Sequence, residues 1–122
     1  MLRSRILVTF ARVQLLLRLR PLPELVAALR ASAPRRPRSY PPARLGRAVI
    51  AALRLGPYQP RCLVNSLVLY RLLLEEGHDP ALVIGMPENA ESTDAHAWVE
   101  IAGRDVGPPP GRGPHQELMR LN

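Results

Sequence analysis

The sequence predicts an α+β chain, with helices first and a small antiparallel sheet packed on the last of them. Three observations carry that expectation. Up to Glu76 the apolar residues recur at helical spacing. From Ala81 they come instead as short runs of strand character. Proline and glycine stand where one kind of segment gives way to the next.

The elements follow in order. Residues 2–19 carry Leu2, Ile6, Leu7, Phe10, Val13, Leu15, Leu16, Leu17 and Leu19 with arginines between them, an amphipathic helix with a wide apolar face. Pro21 and Pro23 end it. A short helix over Glu24–Arg30 puts Leu25, Val26 and Leu29 on one face. Ala33–Pro42 reads as a Pro/Arg/Ser linker. Ala43–Leu55 is a third helix, with Leu45, Val49, Ile50 and Leu53 inward and Arg44, Arg47 and Arg54 outward, stopped by Gly56-Pro57. Arg61–Glu76 is the most apolar segment and reads as the central buried helix, with Gly77 at its C′ position. Ala81–Met86 reads as a buried strand and Pro87–Thr93 as a polar turn. Asp94–Ile101 alternates as a second strand, Ala102-Gly103 is a tight turn, and Arg104–Gly107 starts a third strand. Pro108–Gly113 is irregular, and Pro114–Asn122 reads as a frayed helix.

At 122 residues the chain is one compact domain. Residues 1–57 form its basic helical region, and residues 58–122 hold the cysteine-bearing helix and the sheet. A single cysteine excludes an internal disulfide, and one cysteine with three histidines makes a poor metal-ligand set. No apolar run approaches the roughly 18 residues that a bilayer span requires, and no signal peptide is read, so the expected location is cytoplasmic. All 17 basic residues are arginine. Thirteen of them lie in residues 1–61 with one acidic residue, Glu24, a balance of +12, whereas residues 62–122 balance to −5. A half so basic attracts phosphate, anionic lipid or an acidic protein. Nucleic acid is not the favoured partner, because no recognition motif is present and only Phe10 and Tyr40 are aromatic in residues 1–57. The first helix also carries more apolar surface than a small domain readily buries, so self-association or contact with a membrane surface is a further expectation.

The candidate chemistry rests on two residues. Cys62 falls where a proline-rich loop becomes an apolar helix. Unpaired backbone N–H groups and the positive end of the helix dipole favour a thiolate there. Against this stands the ordinary role of a lone cysteine as a small buried apolar residue. His96 opens an alternating run that sets His96, Trp98 and Glu100 on one face and Ala97, Val99 and Ile101 on the other. The polar set reads as the lining of a cleft, with Trp98 either shielding a thiolate–imidazolium pair or packing at its rim. His78 reads as a surface residue beside Gly77, and His115 has no assigned role.

Three blocks carry a family likeness: Arg61-Cys62-Leu63-Val64-Asn65-Ser66-Leu67, Leu72 to Gly85, and His96-Ala97-Trp98-Val99-Glu100-Ile101-Ala102-Gly103-Arg104. Together they resemble the standalone transglutaminase-like cysteine peptidases of lasso peptide biosynthesis, over residues 60–107. The resemblance implies a papain-like or transglutaminase-like fold with a helix-borne Cys and a strand-borne His. It implies a leader peptidase that needs no cofactor and cuts a precursor peptide through an acyl-enzyme. A small leader-binding recognition protein would present the precursor, and an ATP-dependent lasso cyclase would close the freed core into a threaded ring. Cys62 carries over as nucleophile and His96 as general base.

The third member departs from the family pattern. Gly107-Pro108-Pro109-Pro110 stands where an aspartate is usually sought. Asp105, the carboxylate that follows the hairpin turn, is the first choice to orient the imidazole; Asp94, two residues before His96, is the alternative, and a backbone carbonyl a third. The Cys62 backbone N–H is the natural first oxyanion donor, with Gln59 or Tyr58 upstream as candidates for the second. Two other functions compete with hydrolysis: an acyl transferase or amidase on the same residues, and a non-catalytic basic adaptor.

Overall fold

A computed structural model describes residues 2–33, 40–53, 62–87, 96–107 and 115–121. Among them are four helices, α1 (Leu2–Leu19), α2 (Leu22–Ala31), α3 (Pro42–Leu53) and α4 (Cys62–Glu75). Four strands follow: β1 (Ala81–Pro87), β2 (His96–Ile101), β3 (Arg104–Gly107) and β4 (His115–Leu121). The strands make one antiparallel sheet in the order β3-β2-β1-β4. This is an α+β fold.

The helix starts show where sequence reading stopped short. Both α2 and α3 begin slightly before their expected first residues, at Leu22 and Pro42. Proline is tolerated in a first turn, where its missing N–H would have had no helical partner. Pro23 and Pro42 therefore lie inside these helices instead of bounding them.

α4 is the centre of the molecule. From Ser66 to Glu76 every residue is buried, and Leu67, Val68, Tyr70, Leu72 and Leu73 have no exposed surface. Ile6 and Val13 of α1, Leu25 and Leu29 of α2, and Leu45, Val49 and Leu53 of α3 complete the helical side of the core. The sheet supplies Leu82 and Val99, which face each other across β1 and β2. α4 ends as expected: Gly77 takes φ 82°, its N–H donates to the Leu74 carbonyl, and the His78 N–H donates to that of Leu73. These two bonds form a Schellman closure.

Several arginines are used inside the fold. Arg71 is 4 % exposed. Its guanidinium donates to the Leu29 and Ser32 carbonyls and the Ser32 hydroxyl at the end of α2, and to Glu75 one turn along α4. Glu75 and its buried neighbour Glu76 in turn accept from Arg5 of α1 at 3.1 Å each. Arg30 ties the end of α2 to the Tyr70 hydroxyl, the Asp79 carboxylate and the Pro80 carbonyl. Buried charge is costly unless its hydrogen bonds are met. Here the chain meets most of them with helix-end carbonyls and paired carboxylates, joining α1, α2 and α4, while the Arg5 Nε is buried with no partner among the described residues.

The C-terminal stretch corrects the expected frayed helix, because it is the strand β4. Its sequence alternates poorly, since Leu118 and Met119 stand side by side and both are exposed. A bulge explains this: Ile84 faces Met119 while Gly85 faces Glu117, so Leu118 is the extra residue. Pairing with β1 satisfies backbone groups that would otherwise form an open edge, a tertiary gain that local propensity does not record.

β3 is held by α3. A Cβ on Gly46 would overlap the Val106 carbonyl oxygen, so only glycine allows this approach. The Ala102-Gly103 turn has φ 53° and 80°, the geometry of a two-residue I′ hairpin.

Candidate functional site

The backbone of Cys62 opens α4. Its N–H is among those that a first turn leaves without a helical acceptor. Pro57 and Pro60 upstream and the mostly apolar run downstream explain why the helix starts there. One turn on, Ser66 is fully buried and donates its hydroxyl to the Ala97 carbonyl at 3.0 Å. Ala97 is the residue after His96. This hydrogen bond fixes the first turns of α4 against the start of β2. Cys62 lies about 6 Å along the helix axis from Ser66. His96 lies about 3.3 Å along the strand from Ala97. The bond thus joins a residue one turn after Cys62 to the residue that follows His96.

The surroundings of His96 follow from the register. His96 faces Gly85 across the β1–β2 ladder. A glycine there adds no cross-strand side chain. His96 itself is half-buried. Asn65, three residues after Cys62 on α4, is half-buried too. Its side-chain oxygen is buried and accepts no hydrogen bond among the described residues. An unmet buried acceptor costs about 1–3 kcal/mol, so its place one turn from Cys62 is a feature to be explained.

Trp98 and Glu100 meet on the sheet face opposite Val99. The indole N–H of Trp98 donates to one Glu100 oxygen at 2.8 Å, and Arg120 of β4 donates to the other at 2.9 Å. Arg120 also bonds Glu117. Trp98 is 7 % exposed, so this pair is packed and engaged, and it braces β4 across β1 to β2.

β3 does pair with the strand that carries His96, but Asp105 is exposed and faces Glu100. Glu100 is four residues from His96, about 13 Å along a strand. The register therefore does not bring Asp105 to the imidazole. A bulge at Val106 takes up one residue before Gly107 meets Val99. Tyr58, Gln59 and Asp94 lie outside the described residues.

The reading from sequence passed over Ser66, Asn65 and Gly85. The signal for the first two was present: they are adjacent polar residues inside an otherwise apolar helix, where burial obliges them to find partners. Gly85 was legible only as a glycine inside a strand, a mark of close approach or needed space.

Among the described residues no helix is long and apolar enough to cross a membrane. Comparison with curated proteins and with solved structures returned no match. A sequence model described as the transglutaminase-like superfamily matches residues 5–120, from the first helix through the last strand. That superfamily typically includes cysteine peptidases and acyltransferases, chemistry that a cysteine at a helix start and a histidine on the adjoining strand would serve. With nearly its whole length matched, this chain belongs to the transglutaminase-like superfamily.

Proposed function

We propose that the protein is a cysteine peptidase that removes the leader from a lasso peptide precursor. The observation that supports the reading is the buried hydrogen bond from Ser66, four residues after Cys62, to the carbonyl of Ala97, the residue after His96. The three sequence blocks described above supply the finer family likeness.

In this mechanism His96 takes the Cys62 proton, and the thiolate attacks the scissile carbonyl. The Cys62 backbone N–H stabilises the oxyanion, with Gln59 or Tyr58 as the source of a second donor. Collapse breaks the C–N bond as His96 protonates the leaving amine. Water then attacks the thioester, gives its proton to His96, and frees the thiol as the C–S bond breaks. The imidazole is oriented by Asp94 or a backbone carbonyl in preference to Asp105, given the separation along the sheet. A leader-binding protein delivers the precursor, and a cyclase consumes the product.

Superfamily membership keeps acyl transfer as the second reading, in which an amine replaces water. The test is mass spectrometry of the precursor after incubation with this protein and its leader-binding partner. Free leader and free core are expected. Cys62→Ala and His96→Ala are each expected to abolish cleavage while the circular dichroism spectrum is kept. Asp105→Asn is expected to stay within about tenfold of wild type. A product joined to an added amine would replace hydrolysis with transfer. Full cleavage by Cys62→Ala would remove the thiol mechanism.

A further inference from the structure

α1 buries one side and leaves the other uncovered. Val8, Leu15 and Leu19 are 66 %, 58 % and 69 % exposed. At roughly 100° per residue they fall within about 40° of one another, a single stripe on the outer face. Two exposed arginines border it, Arg18 about 60° to one side of Leu15 and Arg12 about 60° to the other. No aspartate or glutamate occurs in residues 1–23. The internal pairing of Arg5 with Glu75 and Glu76 fixes the helix so that the stripe is held outward by the fold.

We infer that this face of α1 lies on an anionic phospholipid surface, holding the protein to the membrane without spanning it. The stripe would enter the acyl boundary while Arg12 and Arg18 reach headgroup phosphates on either flank. Charge complementarity selects the occupant. A helix with cations on both sides of an aliphatic ridge, and no acidic residue, fits a uniformly negative plane. Beyond the Ser4 hydroxyl at its N-terminal end, the ridge between the arginines is aliphatic and offers no array of directional hydrogen-bonding groups by which a folded protein partner would be recognised. The inference is independent of the peptidase reading, since none of these residues belongs to the proposed site.

The experiment is flotation of the full chain with phosphatidylcholine vesicles, with and without phosphatidylglycerol. Binding is expected only with phosphatidylglycerol, and it is expected to fall as salt rises. The double variant Leu15→Ser/Leu19→Ser is expected to bind more than about tenfold more weakly. Both leucines are exposed, so an unchanged circular dichroism spectrum is expected and separates lost binding from lost folding. Arg12→Gln/Arg18→Gln is expected to flatten the salt dependence. Absence of binding to the anionic vesicles overturns the proposal. So does equal binding by the serine variant, or a wild-type dimer in solution that this variant dissociates, which would make a second copy the occupant.

Discussion

Ser66→Ala tests whether the fastening of α4 to β2 serves the chemistry as well as the fold. The hydroxyl is fully buried and donates to a backbone carbonyl at 3.0 Å. A neutral buried hydrogen bond contributes about 1 kcal/mol net. The Ala97 carbonyl keeps a second lone pair for other donors, and the lost oxygen leaves a void smaller than a methyl group. The expected loss is therefore about 1 kcal/mol, or about 4 °C in Tm for a domain of this size. The effect on rate is expected to be larger. A shift of about 1 Å between reacting groups costs as much as a hundredfold. Cleavage of the precursor, measured at saturating leader-binding protein and well below the Tm of the variant, is expected to fall between about tenfold and a hundredfold, mainly in kcat. Ser66→Thr keeps the donor and is expected to recover part of the rate. A variant that loses the expected stability but cleaves at the wild-type rate would refute the reasoning, because the bond would then hold the fold without setting the site.

Two further expectations concern the frame around the site. Gly46→Ala gains up to about 1 kcal/mol of helix propensity, but its Cβ meets the Val106 carbonyl, which cannot swing aside as a side chain would. A net destabilisation of about 1–2 kcal/mol is expected by urea unfolding, and equal or greater stability would show that α3 and β3 separate at little cost. Tyr70 supplies the pH dependence. Burial raises its hydroxyl pKa above the ordinary 10.0, and the bond from Arg30 only partly opposes this. The folded state thus holds the proton more tightly than the unfolded chain. That stabilisation is whole below pH 10 and is lost as pH rises through the folded value. Unfolding measured across this alkaline range is expected to show a steeper loss for wild type than for Tyr70→Phe, and parallel curves would contradict it.

Much of this was legible in the sequence because it rests on periodicity. The apolar spacing of α3 gave its buried face, the apolar run of α4 gave its central place, Gly77 gave the end of α4, and Ala102-Gly103 gave the hairpin, whereas α1 leaves Leu15 and Leu19 of its apolar set exposed. Pairing decided the rest. Leu118 and Met119 resist assignment until the bulge opposite Ile84 and Gly85 is known. Asp105 reads as a neighbour of His96 until the ladder sets it against Glu100. The arginines show a similar limit. Composition presents Arg5, Arg30 and Arg71 as surface charge, and only the meeting of α1, α2 and α4 reveals that they close helix ends and buried carboxylates. Near the candidate site, the helix start at Cys62 and the strand at His96 were readable, while the bond between these two elements runs from Ser66 to a backbone carbonyl that no motif encodes.

Because the chain has a single cysteine, alkylation reports on the proposed nucleophile alone. The most direct measurement is the rate of iodoacetamide modification at neutral pH for folded wild type, folded His96→Ala and the urea-unfolded chain. Folded wild type is expected to react fastest, and His96→Ala is expected to react about tenfold or more slowly than wild type, since the thiolate is the reacting form and the imidazole sustains it. A wild-type thiol that reacts no faster folded than unfolded, or a rate that His96→Ala leaves unchanged, would contradict the pairing of these two residues.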